Sequence, residues 1–368
     1  MRAQLRAAAA GRRHRGWPAP EEWRARSRIL AQTPPDGREA PPAAPSAVGS
    51  AGIAASPDGG TRFWRWQDHR IGWCRAGSPS SSDAVLLIHG FGASLGHWRH
   101  TMPALAAHAE VFALDLLGFG ASDKPPSRLA DEPERPGAVR YCFDLWAEQV
   151  QAFVHEQVSH QQVDRRRRVH LIGNSVGAVV ALNAALKLAA AGCPPSQVVL
   201  IDCAQRTLDR KRLAEQPALQ RLLRPWLEGS VRQRWLLAPL FRLLARPAFI
   251  RRVLQRAYPS GGHVDAALVQ LLYRPATEPG ALESFRGFVN LFDDHLAPDL
   301  LARLALPVRL LWGERDPWED PAEARRWAAT YPCIRELQVL PGLGHCPHDE
   351  APEQVNPILL RWLQTSQA

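Results

Sequence analysis

Ser175 stands at the centre of Gly173-Asn174-Ser175-Val176-Gly177, between a short apolar strand, Val169 to Ile172, and a helix of small and apolar residues, Ala178 to Ala191. A serine on such a strand-to-helix elbow projects its hydroxyl above the sheet. Gly173 and Gly177 leave space where a larger side chain would collide with the adjoining strand and helix. A serine hydroxyl is a weak nucleophile, and it needs a base to take its proton and a carboxylate to orient that base. Two later loops offer them, Trp312-Gly-Glu-Arg-Asp316 and Leu340-Pro-Gly-Leu-Gly-His345. Each candidate has a competitor: Glu314 shares the acid loop, and His348 lies three residues beyond His345. Asp316 is favoured by its place before Pro317 at the far end of the turn, and His345 by the flexible Gly342-Leu343-Gly344 that precedes it. Such a trio attacks a carbonyl, forms an acyl-enzyme and releases it to water, whereas an aspartate at position 175 would suit alkyl-halide or epoxide opening.

This chemistry also needs donors where the oxyanion forms. The backbone N–H of Val176, at the start of the helix after the elbow, is one. The N–H of Phe91, in His89-Gly-Phe-Gly92, is the expected second. Losing one such donor typically costs about 2.7 to 4 kcal/mol of transition-state stabilisation. The competing reading is that His89-Gly90 only turns the chain after a strand.

The elements that must hold these residues alternate in type. Thr61 to Trp66 and Arg70 to Arg75 read as two short antiparallel strands, and Ala84 to Ile88 as a strand buried on both faces. A helix from Trp98 to Ala107, a strand from Glu110 to Asp115, a long polar loop to about Gly137 and a helix from Tyr141 to His155 lead to the elbow. Val198 to Asp202 is the next strand. From about 205 to 305 the pattern turns helical and rich in Leu, Trp and Arg, which reads as a cap inserted over the carboxyl ends of the strands. Strands at Pro307 to Trp312 and Glu336 to Leu340, with helices at Pro321 to Tyr331 and Glu353 to Leu363, resume the alternation. This is the signature of an α/β protein with a mostly parallel sheet. The folded domain spans 61–368. Residues 1–60, rich in Ala, Pro, Arg and Gly, read as a disordered extension or a targeting segment.

A chain of 368 residues with 46% hydrophobic content can bury a sizeable core. Its net charge of +9 draws it to anionic surfaces, but no nucleic-acid-binding signature accompanies the arginines, and nucleic acid is not an expected partner. The tight run Arg165 to Arg168 reads as a solvated loop, and the expected contact with a membrane is peripheral. No window approaches the roughly 18 consecutive apolar residues of a membrane span. Six cysteines without paired metal-ligand spacing read as free thiols in a reduced compartment, and no metal is expected.

Gly-Asn-Ser175-Val-Gly, His-Gly-Phe91-Gly-Ala-Ser, Asp115 to Pro125, Trp-Gly-Glu-Arg-Asp316-Pro and Gly-Leu-Gly-His345-Cys-Pro-His together resemble the α/β-hydrolase superfamily, from Phe63 to the C-terminus. Within it they resemble the pheophytinase-like branch of photosynthetic organisms, to which Arg274 to Phe285 is also similar. The resemblance implies an α/β-hydrolase fold of about eight strands, helices on both faces and a helical cap. It implies a carboxylic-ester hydrolase that removes phytol from pheophytin without a cofactor, with Ser175 as nucleophile, His345 as base and then acid, Asp316 as its orienter, and Phe91 and Val176 as oxyanion donors. It also implies a place in the cytoplasm of a photosynthetic bacterium, associated with thylakoids, or alternatively in a plastid. Three other readings stand beside it: a hydrolase of another ester or of a diketone carbon–carbon bond, a non-catalytic ligand receptor, and a membrane-docking protein using its arginine-rich cap.

Overall fold

The computed structural model describes residues 60–159 and 167–365. The segment read as disordered or targeting lies, up to residue 59, outside the described residues, as do Arg165 and Arg166. Strands β1 (Arg62–Trp66) and β2 (His69–Ala76) form an antiparallel hairpin that turns at Gln67-Asp68. Strands β3 (Asp83–Ile88), β4 (Glu110–Leu114), β5 (Arg168–Asn174), β6 (Gln197–Ile201), β7 (Val308–Gly313) and β8 (Ile334–Leu340) follow. They build one eight-stranded sheet in the order β1-β2-β4-β3-β5-β6-β7-β8. All neighbours are parallel except β1–β2 and β2–β4. Strands β3, β4, β6 and β7 are buried along their whole length, which is why they read as unbroken apolar runs.

The pleat divides the core in two. Leu86 and Leu310 face one apolar cluster with Trp146 and Leu182, while Val85, Leu87 and Leu311 face the other with Trp98 and Trp362. Helices α2 (Phe143–Phe153) and α3 (Val176–Ala190) cover the first face. The second is covered by α1 (Thr101–Ala106) and, near the C-terminus, α12 (Pro352–Thr365), which follows α10 (Pro321–Thr330) and the single turn α11 (Pro347–Glu350).

Two expectations change here. The helix expected from Trp98 to Ala107 is a 3-10 turn, Leu95–Trp98, followed by α1. Pro103 has no N–H to give to the Arg99 carbonyl, which weakens a continuous helix through this point, and α1 starts so that Pro103 falls in its first turn. The arginine run is not wholly solvated either. Arg167 pairs with the buried Glu110, and Arg168 clamps Asp83 with Nε at 2.8 Å and Nη2 at 2.7 Å.

Between β6 and β7 lie a 3-10 turn (Arg210–Glu215) and six helices: α4 (Ala218–Arg232), α5 (Arg234–Leu244), α6 (Pro247–Ala257), α7 (Ala266–Thr277), α8 (Ala281–Val289) and α9 (Ala297–Leu301). Their counter-surface includes the polar loop after β4. Arg286 on α8 is only 2% exposed, donates to Ser127 Oγ at 3.1 Å and pairs with Glu132. Glu283 accepts from Ser127 N at 2.9 Å and from Arg234 Nε at 2.7 Å. The charges that make this loop look solvated in sequence therefore hold the inserted helices in place.

Candidate active site

Strand β5 ends at Asn174 and α3 begins at Val176, so Ser175 alone makes the turn, with φ 56° and ψ −118°. A non-glycine residue in the left-handed region costs energy, and it persists only where its surroundings dictate it. They do here: Ser175 N donates to Ile201 O at 2.9 Å, and Ser175 O accepts from Ala204 N at 3.1 Å, tying the elbow to the end of β6 on both sides. A Cβ on Gly173 would stand 2.3 Å from Gly177 O, and one on Gly177 would stand 2.3 Å from Ile88 O. Helix α3 thus crosses the end of β3 at backbone contact, a fit that only glycine permits.

The Phe91 loop arrives from β3. A Cβ on Gly90 would lie 3.1 Å from Ser175 Cβ, so this loop touches the serine directly. Its geometry is set by His89, which is fully buried and whose imidazole burial pushes down to about 4, so the ring is neutral. His89 Nδ1 donates to Gly90 O at 2.8 Å, and Nε2 accepts from Leu116 N at 3.1 Å. Asp115 braces the same region, accepting from Leu95 N at 2.6 Å and Ala121 N at 2.7 Å, and burial raises its carboxyl to about 7. Among the described residues neither the Phe91 N–H nor the Val176 N–H finds an acceptor. Both donors are therefore free to receive an acceptor.

His345 and Asp316 come together: His345 Nδ1 donates to Asp316 Oδ2 at 2.7 Å. The other oxygen of Asp316 accepts from Trp318 N at 2.9 Å and Glu319 N at 3.2 Å. The competitors lie elsewhere. Glu314 accepts from Gly342 N at 3.2 Å, and His348 is buried against Trp98 and His97, with ring centroids at 4.4 and 4.9 Å. Burial holds the His348 imidazole far below its ordinary range. Asn174 joins the two halves of the site, its Nδ2 donating to His345 O at 3.1 Å and Ile201 O at 3.2 Å. The histidine loop is also tied to the inserted helices, since His345 N donates to Ala257 O at 2.9 Å at the end of α6. Among the described residues no hydrogen bond joins Ser175 Oγ to His345, which is common before substrate draws such groups together.

Sequence reasoning missed four polar residues here. Asn174 and His89 stood inside the quoted motifs without a role. Asp202, at the end of β6 with φ 43°, is fully buried; its Oδ1 accepts from Gly313 N at 2.9 Å, and burial together with the nearby Asp316 charge raises its carboxyl well above the ordinary range. Glu319 accepts from Gln205 N at 2.7 Å and is pushed up to about 7, chiefly by burial. The only signal for Asp202 in the sequence was an acid closing an apolar strand, and Glu319 stood outside the quoted motifs.

Between the Phe91 loop and the inserted helices lies a narrow cavity of about 60 Å³, lined mainly by apolar residues that include Phe91, Phe119, Phe241, Leu272 and Phe285. The Phe91 ring stacks on Phe288 of α8 with centroids 3.9 Å apart. A larger cavity of about 460 Å³ opens beside Leu301, Tyr331 and Arg335 at the amino ends of β7 and β8, away from this chemistry. Among the described residues no cluster of His, Cys, Asp or Glu could hold a metal ion, no helix is long and apolar enough to cross a membrane, and all six cysteines are free.

The model of the alpha/beta hydrolase family matches residues 85–358. Among curated proteins, "Pheophytinase, chloroplastic" of Arabidopsis thaliana is 26% identical over 325 residues, covering 80% of this chain and 64% of its own length. "Dihydrolipoyllysine-residue acetyltransferase component of acetoin cleaving system" of Pseudomonas putida is 28% identical over 298 residues, covering 79% of this chain and 66% of its own. The chain therefore spans just under two thirds of the length of either relative. Among solved structures, a thermophilic esterase from Thermogutta terrifontis superposes with a TM-score of 0.58 at 20% identity, covering 82% of this chain and 95% of that one. At that identity the likeness speaks for the fold.

Proposed function

The chain belongs to the alpha/beta hydrolase family, and on that premise we propose that it is a serine hydrolase of carboxylic esters working through an acyl-enzyme. One observation carries the reading: the 2.7 Å bond from His345 Nδ1 to Asp316, held by Asn174 beside an elbow serine that the Phe91 loop touches. In the proposed reaction Ser175 Oγ attacks the ester carbonyl carbon while its proton passes to His345 Nε2. The Phe91 and Val176 N–H groups receive the oxyanion, and Asp316 steadies the imidazolium through Nδ1. His345 then gives the proton to the departing alkoxide, which leaves as alcohol. Water attacks the acyl-enzyme with His345 again as base, and the acid departs as Ser175 regains its proton.

The substrate we favour is a large apolar ester, such as the phytyl ester of pheophytin or a related chlorophyll derivative. Two observations support it: the phenylalanine lining of the cavity, and the match to a plant pheophytinase. Ligand sites usually enclose about 300–1,000 Å³, so an ester of that size requires the inserted helices to move away from the Phe91 loop. Purified protein and its Ser175→Ala variant, incubated with p-nitrophenyl esters and with pheophytin, test both levels. Turnover should fall by roughly six orders of magnitude in the variant. Short-ester turnover that survives the substitution refutes the triad. Wild-type protein that cleaves short esters but releases no phytol refutes the substrate alone.

A further inference from the structure

We propose that the solvent-facing side of helices α4 and α5 is a docking surface for an anionic lipid bilayer. This goes beyond the ester-hydrolase reading and does not depend on it. Helix α4 is turned inside out. Its buried residue is Arg224, which donates to Glu228 at 2.5 Å and to Leu208 O at 2.9 Å. Leu219, Leu222, Leu223 and Trp226, spaced i, i+3, i+4 and i+7 along one face, are 66%, 76%, 52% and 75% exposed. Helix α5 continues the surface, burying Leu237 while Trp235 is 72% exposed and Leu243 52%. Contiguous exposed apolar residues on this scale mark an interaction site rather than ordinary surface.

The charge around the patch selects the partner. Between Ala218 and Ala257 the chain carries nine arginines and a single acid, Glu228. Arg221, Arg242, Arg246, Arg251, Arg252 and Arg256 are exposed and, among the described residues, form no ion pair. Arg242 stands seven residues after Trp235, on the same face of α5. Helices with leucine and tryptophan on the outer face and arginines around them lie in the plane of a lipid interface, the rings at headgroup depth and the guanidinium groups on anionic lipid. A second copy of the chain suits the patch poorly, because a two-fold pairing would set arginines against arginines with one acid per copy to answer them. The same helix reaches the cavity from its inner side: Phe241, between Leu240 and Arg242 on α5, lines it. A bilayer on this surface would present apolar molecules one helix away from Ser175.

The test is co-sedimentation of the full chain with vesicles of phosphatidylglycerol and phosphatidylcholine, and with phosphatidylcholine alone, at low and high salt. Wild type should sediment with the anionic vesicles, and Trp226→Ser/Trp235→Ser should lower the partition coefficient by about tenfold or more. Arg242→Gln/Arg246→Gln/Arg251→Gln should lose both the preference for anionic lipid and most of the salt dependence. All these side chains are exposed, so unchanged thermal midpoints would confirm that the variants fold. The proposal is overturned by failure of wild type to sediment with anionic vesicles. It is equally overturned by undiminished binding of the tryptophan variant, which would place the contact elsewhere in the chain. Conversion of a wild-type dimer to a monomer by that variant, without a change in vesicle binding, would make the face a contact between copies.

Discussion

At the scale of single residues, the site is a problem in placing negative charge. Asp202 and Glu319 both lie near Asp316, and a buried carboxyl beside another acid is costly to ionise. Burial raises Asp202 and Glu319, while Asp316, met by three N–H donors, takes the imidazole. Asp316→Asn should therefore lower kcat for p-nitrophenyl esters by on the order of 10³ to 10⁴, whereas Glu314→Gln should leave it unchanged. An equal loss in both variants would show that the acid had been misassigned. Glu319 adds a pH signature. Its folded value of about 7 lies above the ordinary 4.5, so folding retains a proton that the unfolded chain has released. The associated stability is full below about pH 4.5 and is lost as pH rises through about 7. Glu319→Gln lacks this dependence, so its unfolding free energy relative to wild type should climb across that window. A constant difference in chemical denaturation at each pH would contradict the assignment.

At the scale of elements, what could be read from the sequence follows from what each element buries. Strands β3, β4, β6 and β7 are apolar throughout because both faces are covered, and they announce themselves. The elbow was legible for a harder reason: Gly173 and Gly177 stand at contacts that no other residue can occupy. Gly177→Ala should destabilise the fold by about 3 kcal/mol or more, because its methyl group would press on the Ile88 and His89 carbonyls; a wild-type melting temperature would disprove that contact. Helices α6 and α8 did not stand out. Helix α6 buries only Leu254 and Ala257 and carries three arginines among its eleven residues, and α8 is anchored by the buried Arg286 rather than by an apolar stripe. Nor does a sequence disclose pairings such as Arg286 with Glu132, which lie 154 residues apart.

At the scale of the whole molecule, two properties follow from how the inserted helices meet the sheet. The first is sensitivity to acid. Burial depresses His89 to about 4, and His97 and His348 also lie below the ordinary 6.5. These rings stay neutral when folded but take protons when unfolded, so their contribution to stability is present above about pH 6.5 and is lost as pH falls toward 4. Thermal unfolding of His348→Leu should show a shallower loss over that range than wild type, and an identical slope would remove His348 from the account. The second is selectivity by size. Phe285 and Phe241 close the cavity from α8 and α5, so Phe285→Ala should raise kcat/KM for long acyl chains relative to acetate by about tenfold, read from a series of p-nitrophenyl esters.

The stack of Phe91 on Phe288 joins these scales. In the proposed mechanism one residue would offer its amide to the reacting carbonyl while its ring packs on the inserted helices, so movement of α8 shifts the ring's partner. In that mechanism any substrate that lifts α8 would also unsettle the donor proposed to catch its negative charge, and the donor would be restored only as the helix settled back over the bound acyl group. The rate of the chemical step then becomes a gauge of how completely the enzyme has shut, and esters that prop it open would be bound well and cut slowly.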